Sequence, residues 1–130
     1  MQNGCLCCNI RGDLVPAMKK LLEKKRSFDH IIIETTGLAD PAPVIQTFFT
    51  VEEIMSKIVL DGVITVVDGK NIHKQLSQKK TAGAVNEAVQ QIAFADRVLL
   101  NKVDLLKPDE IAKARAAIKG INGDVFWTWA

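Results

Sequence analysis

The apolar positions of the chain alternate between short β-branched runs and stretches with helical spacing. Three such runs, each mainly apolar and closed by polar residues, predict strands, and the first has the look of a buried parallel strand. The predicted strands are Ile31–Ile33, Val63–Val67 and Val98–Leu100. The tail from Val125 to Ala130 is compatible with the start of a fourth strand.

Between these strands, apolar residues recur at helical spacing and predict helices. Asp13 is a good N-cap residue for the first helix, whereas Pro41 and Pro43 predict a loop. The last helix opens at Pro108, and Gly120 is a residue typical of the position just after a helix. The predicted helices cover about residues 13–26, 51–58, 72–76, 84–95 and 108–119.

This alternation predicts an α/β fold with a mainly parallel sheet and helices on both faces, and 130 residues make one domain at most. Ligands of such sheets bind beyond the carboxyl ends of the strands, where this chain carries polar residues. The three ends read Glu34-Thr35-Thr36-Gly37, Asp68-Gly69 and Asn101-Lys102-Val103-Asp104. Asp68-Gly69 alone fits turn chemistry as well as it fits a ligand site.

Composition and charge exclude several classes of protein. With 48% hydrophobic and 25% charged residues, the chain has a globular rather than a disordered composition. A formal net charge of +2 gives no argument for nucleic acid or a membrane as partner, and no apolar run approaches the roughly 18 residues of a membrane span. Three closely spaced cysteines and the absence of a secretory signal after Met1 predict a reducing compartment, by default the cytoplasm.

The end of the third predicted strand suits a guanine base. The carboxylate of Asp104 can accept hydrogen bonds from the ring N–H and the exocyclic amine of guanine, a pair of donors that adenine lacks. Asn101 could bond the acceptors on the other edge of the base, and the aliphatic stem of Lys102 could pack on its face. The alternative is a solvated turn between a strand and a helix.

The segment Gly4-Cys5-Leu6-Cys7-Cys8 places three cysteines within four positions and predicts a metal site. Thiolates bind soft or borderline metals, and three of them leave one position of tetrahedral Zn²⁺ open, which suits transfer. Cu⁺ is a chemical alternative, whereas an iron–sulfur cluster would usually need a fourth cysteine. A redox switch and a cluster of small buried apolar residues are further alternatives.

Taken in order, GCLCC, ETTGLADP after a strand, VVD and LLNKVDLL resemble the CobW/UreG/HypB family of metallochaperone GTPases, most closely its CobW-like, zinc-regulated branch. The resemblance covers roughly residues 2–120 and implies a P-loop NTPase-like three-layer sandwich. It implies Zn²⁺ as the metal, with Co²⁺ and Cu⁺ as alternatives, and GTP with Mg²⁺ as the nucleotide. The residues that match the family's motifs are Cys5, Cys7 and Cys8 for the metal, Glu34 and Gly37 for catalysis, and Asn101, Lys102 and Asp104 for guanine.

The resemblance also implies a mechanism. GTP and Mg²⁺ would order a switch segment that positions the thiolates, and hydrolysis or nucleotide exchange would release the metal to a client metalloprotein. In this scheme Glu34 acts on the Mg²⁺ shell, directly or through water, and the backbone N–H of Gly37 meets the γ-phosphate.

Two features depart from the family pattern. The sequence contains no G-x-x-x-x-G-K-[ST], and the tail Asp124–Ala130 does not resemble the family's next strand. We therefore expect residues 1–130 to be a partial nucleotide-binding domain, truncated at both ends, that lacks the P-loop strand. Its affinity for GTP should be very weak, because phosphate contacts dominate nucleotide binding. The alternatives are a metal-binding module without hydrolase activity and a non-functional fragment.

Overall fold

The structure is a computed structural model that describes residues 5–23, 28–78 and 86–129, with side chains from residue 12 onward. The chain divides into two compact units, residues 1–61 and 62–130, and each has its own apolar core. Within the described ranges, the helices of the first unit are α1 Cys5–Glu23, α2 Ala42–Thr50 and α3 Glu52–Met55. The elements of the second unit are β1 Ile64–Asp68, α4 Ile72–Leu76, α5 Glu87–Ala93, β2 Arg97–Asn101, the 3-10 turn Val103–Leu105, α6 Pro108–Ile121 and β3 Phe126–Trp129.

Helix α1 begins well before the helix that the apolar spacing predicts. Asp13 lies inside α1, so its prediction as the N-cap residue is wrong, and Pro16 also lies inside the helix. Aspartate in a helix interior is less favourable than alanine by only about 0.7 kcal/mol, so a good N-cap residue does not by itself start a helix. The core of the first unit consists of Met18, Val44, Phe48 and Ile54.

Helix α2 occupies the segment whose prolines predicted a loop. Pro41 immediately precedes the helix and Pro43 lies in its first turn, where backbone N–H groups have no intrahelical acceptor. The backbone N–H of Ala42 instead donates to the carboxylate of Asp40 at 2.9 Å. Two prolines at a helix start are therefore compatible with the helix, and the predicted piece over 51–58 shrinks to the single turn of α3.

The predicted strand Ile31–Ile33 is wrong. These residues have no regular secondary structure, and the side chain of Ile32 is 94% exposed. A strand exists only when a neighbouring strand accepts and donates its backbone hydrogen bonds, and no strand of the described residues pairs with this run. A β-branched run therefore has a high strand propensity, but it forms a strand only where another strand pairs with it.

The second unit is built on a parallel sheet in the order β1-β2-β3. Its central strand buries Val98 and Leu100 completely, with both side chains 0% exposed. The predicted strands at 63–67 and 98–100 are thus confirmed, with each boundary moved by one residue, and the tail forms β3. The parallel sheet with its connecting helices also confirms the α/β class.

Helices cover the buried face of this sheet. The apolar cluster around the central strand includes Ile72 of α4, Ile92 of α5, and Ala114 and Ile118 of α6. Helix α4 matches its predicted position and α6 begins at the predicted Pro108, whereas α5 occupies part of the predicted 84–95, whose first two residues lie outside the described ranges. The guanidinium of Arg115 lies 3.5 Å from the ring centroid of Trp127, so a cation–π contact joins α6 to β3.

The end of α6 differs from the prediction. The helix continues through Gly120 to Ile121, and Asn122 is its C-cap residue. The side-chain amide of Asn122 donates to the carbonyls of Ile92 at 3.0 Å and Ala95 at 2.9 Å. These hydrogen bonds fix the chain at the end of α5, and the helix ends where that anchor lies rather than at the nearest glycine.

Gly69 and Gly120 provide a matched test of this fold. A Cβ atom on Gly69 would lie 2.8 Å from Cδ1 of Leu106 and 3.0 Å from the carbonyl oxygen of Asn101, whereas one on Gly120 would meet nothing within 4 Å. We predict that Gly69→Ala lowers the free energy of unfolding by about 1–3 kcal/mol, because backbone must shift. Gly120→Ala should raise it by about 0.5–1 kcal/mol, because alanine favours a helix interior.

Denaturant unfolding followed by circular dichroism measures both values. Equal effects of the two substitutions would contradict the close packing around Gly69.

Candidate functional site

The carboxyl ends of β1 and β2 lie side by side, because the parallel register pairs Asp68 with Asn101. Asp68 closes the turn that leaves β1: its carboxylate accepts hydrogen bonds from the backbone N–H of Lys70 at 3.0 Å and of Asn71 at 3.3 Å. The side-chain amide of Asn71 donates to its other oxygen at 2.9 Å. The turn residues thus hold both oxygens of this carboxylate in place.

Lys102 connects the two strand ends. Its ammonium Nζ lies 2.8 Å from Oδ2 of Asp68 and forms an ion pair with it. Its backbone is left-handed, with φ of 61° and ψ of 33°, and it is the one non-glycine residue with positive φ in the part of the chain that the structure describes. The backbone N–H of Lys102 donates to Oδ1 of Asn101 at 2.8 Å, so the asparagine side chain supports the unusual conformation.

The two loops also meet through their backbones. The N–H of Gly69 donates to the carbonyl of Asn101 at 3.0 Å. The space in which a Cβ of residue 69 would lie is already filled by Leu106 and by that carbonyl, so glycine is required for this close approach.

Asp104 lies on the 3-10 turn that follows Lys102. The turn is closed by hydrogen bonds from the N–H of Leu105 to the carbonyl of Lys102 and from Leu106 to Val103, both 3.1 Å. The side chain of Asp104 is exposed, and its carboxylate has no hydrogen bond or ion pair within the described ranges. It can therefore accept two hydrogen bonds from a ligand.

The ion pair changes the titration of Asp68. The hydrogen bond from the Lys102 side chain, followed by that from Asn71, lowers the pKa of Asp68 to about 2. Because this carboxyl is ionised at any physiological pH, its bond to the Lys102 ammonium is charge-assisted throughout that range.

Glu34 and Gly37 lie in the first unit, in the segment between α1 and α2. The side chain of Glu34 is exposed, and Gly37 lies in a turn in which the N–H of Ala39 donates to the carbonyl of Thr36 at 3.0 Å. The structure thus groups Asp68, Asn101 and Lys102 in the second unit, with Asp104 on the next turn. Glu34 and Gly37 belong to the other unit.

The three cysteines fall at the start of α1, and their side chains lie outside the described residues. Among the side chains that the structure describes, no group of three or more His, Cys, Asp and Glu residues could hold a metal ion. None of the described helices is long and apolar enough to cross a membrane.

The ion pair between Asp68 and Lys102 is the feature of this site that the sequence pattern did not predict. The two residues are 34 positions apart, and neither hydrophobic spacing nor motif order relates them. The available signal is that each follows, or ends, one of two neighbouring parallel strands. By its sequence Asp68 fits turn chemistry as well as a ligand site, and the structure shows that it makes the turn and also contacts Lys102.

Comparison with known proteins gives consistent matches. Residues 1–127 match the sequence model of the CobW/HypB/UreG nucleotide-binding domain. The chain is 38% identical over 122 residues to zinc-regulated GTPase metalloprotein activator 1 of Schizosaccharomyces pombe, covering 94% of this chain and 28% of that protein. It is 38% identical over 121 residues to zinc chaperone YjiA of Escherichia coli, covering 90% of this chain and 36% of that protein.

A solved structure shares the fold. The crystal structure of Zn(II)-bound YjiA GTPase from E. coli has a TM-score of 0.73 at 34% identity, over 88% of this chain and 34% of that one. The chain therefore spans about a third of the length of the relatives that it matches. The match confirms the expected P-loop NTPase-like fold class.

We predict that the Asp68 carboxyl titrates with a midpoint of about 2, below the ordinary 3.8. Since folding lowers this pKa, the ion pair stabilises the fold above about pH 4, and the stabilisation is lost as the pH falls toward about 2. Carbon-13 NMR of the aspartate carboxyl groups measures the midpoint, and Lys102→Met should raise it. A wild-type midpoint at the ordinary value would show that the ion pair does not form in solution.

Proposed function

We propose that this chain, which belongs to the CobW/HypB/UreG family of nucleotide-binding domains, is the guanine-recognising and metal-binding part of a GTP-dependent zinc chaperone. The names of its relatives, which are zinc chaperones and zinc-regulated GTPases, support this proposal. Because the chain spans about a third of those relatives, the GTPase activity and the transfer of metal to a client protein are proposed for the longer protein. We propose that residues 1–130 are a partial domain of it.

Guanine recognition is supported best by one observation, the exposed carboxylate of Asp104 on the turn after β2. Guanine presents its ring N–H and its exocyclic amine side by side, and a carboxylate without other partners can accept from both. Lys102 has its ammonium tied to Asp68, which leaves its aliphatic stem available to pack on the face of a base. The side chain of Asn101 already accepts from the backbone N–H of Lys102, so we propose that its main role is to hold the turn.

The metal is the proposed cargo, with Cys5, Cys7 and Cys8 as its ligands. Thiolates suit Zn²⁺, and three of them leave a coordination position open for exchange. Zinc is also the metal that the names of the relatives contain. The thiols must lose protons to bind it, so loading should weaken in acid.

The nucleotide would be GTP with Mg²⁺, which supplies charge neutralisation for the phosphates. We propose that the exposed carboxylate of Glu34 acts on the Mg²⁺ shell, since carboxylate oxygen is the donor that Mg²⁺ prefers. The backbone of Gly37, in its turn, is the proposed donor to the terminal phosphate. The second candidate function is a metal-binding module that hydrolyses nothing, for which Cys5, Cys7 and Cys8 would be sufficient.

Asp104→Asn tests base recognition. An amide side chain can donate to the 2-oxo group of xanthine but accepts poorly from the 2-amine and ring N–H of guanine together. We predict that the substitution weakens guanosine binding about tenfold and improves xanthosine binding. Nucleosides are used because they isolate the base contacts, and NMR shift titration of the whole chain measures the affinities.

Asp109→Asn is the matched control, because Asp109 is another exposed carboxylate of the second unit, lies at the start of α6 and forms an ion pair with Lys113. It should leave both affinities unchanged. If wild type shows no preference for guanosine over adenosine, the guanine assignment is wrong.

Cys7→Ser tests the metal site. We predict one-to-one Zn²⁺ binding by the reduced chain, measured in competition with a chromogenic chelator, and its loss in Cys7→Ser because one of three thiolates is removed. His73→Gln is the control, since His73 is the other type of zinc-binding side chain and lies exposed on α4.

GTP with Mg²⁺ separates the two candidate functions. Tighter Zn²⁺ binding in its presence supports the chaperone, because linked sites must affect each other reciprocally. Zinc binding that Cys7→Ser abolishes and GTP leaves unchanged supports the metal module alone. Binding that survives the loss of Cys7 would overturn the cysteine assignment.

A further inference from the structure

We propose that Asp68 is a positioning residue for base recognition, because its carboxylate holds the Lys102 ammonium and thereby fixes the turn that presents Asp104. The proposal rests on the proposed guanine function and adds to it a residue that lies outside the strand-end motif. It also explains what the left-handed backbone of Lys102 does, which is to orient the turn that carries Asp104.

The register of the sheet brings Lys102 within reach of Asp68. Parallel pairing places Asp68 opposite Asn101, the residue before Lys102, so the Lys102 side chain can reach back across the two strand ends. The side chain of Asp68 is 21% exposed and that of Lys102 is 49% exposed, and the distance between their charged atoms is 2.8 Å. An ion pair this short between partly shielded groups differs from the exposed pair of Lys113 with Asp109, at 3.4 Å.

The backbone of Lys102 has a left-handed conformation. A left-handed conformation is unfavourable for a non-glycine residue, and it persists when the surroundings hold it. Two contacts hold Lys102, one at each end of the residue. The Asn101 side chain accepts from its backbone N–H at 2.8 Å, and Asp68 accepts from its ammonium at 2.8 Å.

The carboxylate of Asp68 is itself held in place by hydrogen bonds. Its two oxygens accept three hydrogen bonds from Lys70 and Asn71, so the carboxylate cannot follow a moving lysine. The backbone N–H of Gly69 also donates to the carbonyl of Asn101, which ties the two loops at a second point. Asp68 therefore acts as a fixed anchor rather than as a mobile counterion.

The backbone of Lys102 also closes the turn that carries Asp104. The carbonyl of Lys102 accepts the hydrogen bond that closes the 3-10 turn, from the N–H of Leu105 at 3.1 Å. Asp104 lies inside that turn, so the direction of its carboxylate depends on the backbone of Lys102. Releasing the ammonium should loosen this geometry and affect most strongly the ligand that needs both donors aligned with Asp104.

Guanosine and inosine are the probes, because inosine keeps the ring N–H but lacks the exocyclic amine. Asp68→Asn in the full chain removes the charge and keeps an oxygen that can accept from Lys70 and Asn71. We expect guanosine binding to weaken about fivefold and the preference for guanosine over inosine to fall toward one. Loss of stability alone would weaken both nucleosides equally, so the ratio reports on positioning.

Two further variants complete the design. Asp109→Asn carries the same change of charge at an exposed position and should leave the ratio unchanged. Lys102→Met keeps an aliphatic stem without the ammonium and should lower the ratio as Asp68→Asn does. The double variant should be no worse than Lys102→Met, because both substitutions remove the same contact.

The outcomes are separable. Asp68→Asn could keep the wild-type preference for guanosine over inosine while Asp104→Asn still weakens guanosine binding. That result would overturn the positioning role and leave the guanine function intact. If Asp68→Asn does not fold, an unchanged ratio in Lys102→Met overturns the role equally. A wild-type chain that does not distinguish guanosine from adenosine would show the proposed function itself, and this inference with it, to be wrong.

Discussion

The parallel register between β1 and β2 is the constraint on which the second unit depends. It places Val98 and Leu100 where both are completely buried among the helices, and it places Asp68 opposite Asn101 at the edge of the sheet. A slip of one residue would turn the buried side chains outward, so the apolar core fixes the register. The polar side chains of the site are therefore positioned by the packing of apolar side chains elsewhere in the sheet.

Much of the second unit follows from local pattern. β1, β2 and α6 were predicted from their residues, because a β-branched run bounded by turn residues and a helix opened by Pro108 carry their signals within a few positions. The predictions are wrong where residues far away in the sequence determine the local structure. Ile31–Ile33 has the composition of a strand but no strand beside it, and α6 ends at Asn122 because that side chain bonds carbonyls of another helix.

The candidate site divides in the same way. Asn101, Lys102 and Asp104 lie within four positions and can be identified as a base-binding pattern, yet nothing in that pattern indicates the left-handed backbone of Lys102. The anchor for that backbone is Asp68, which only the register brings within reach. The metal and catalytic residues at Cys5, Cys7, Cys8, Glu34 and Gly37 remain predictions from the family pattern.

The order of the strands in the sheet follows their order in the chain, and this has a consequence for how the second unit folds. Each strand pairs with the one that precedes it in the chain, so α4 and α5 lie between β1 and β2, and α6 lies between β2 and β3. Each pairing therefore needs the closure of a loop before its hydrogen bonds form, as between Ile64 and Arg97, and parallel pairing of this kind is slow. Because no strand has to wait for a partner further along the chain than its immediate successor, the order of pairing in the sheet can follow the order in which the strands are synthesised.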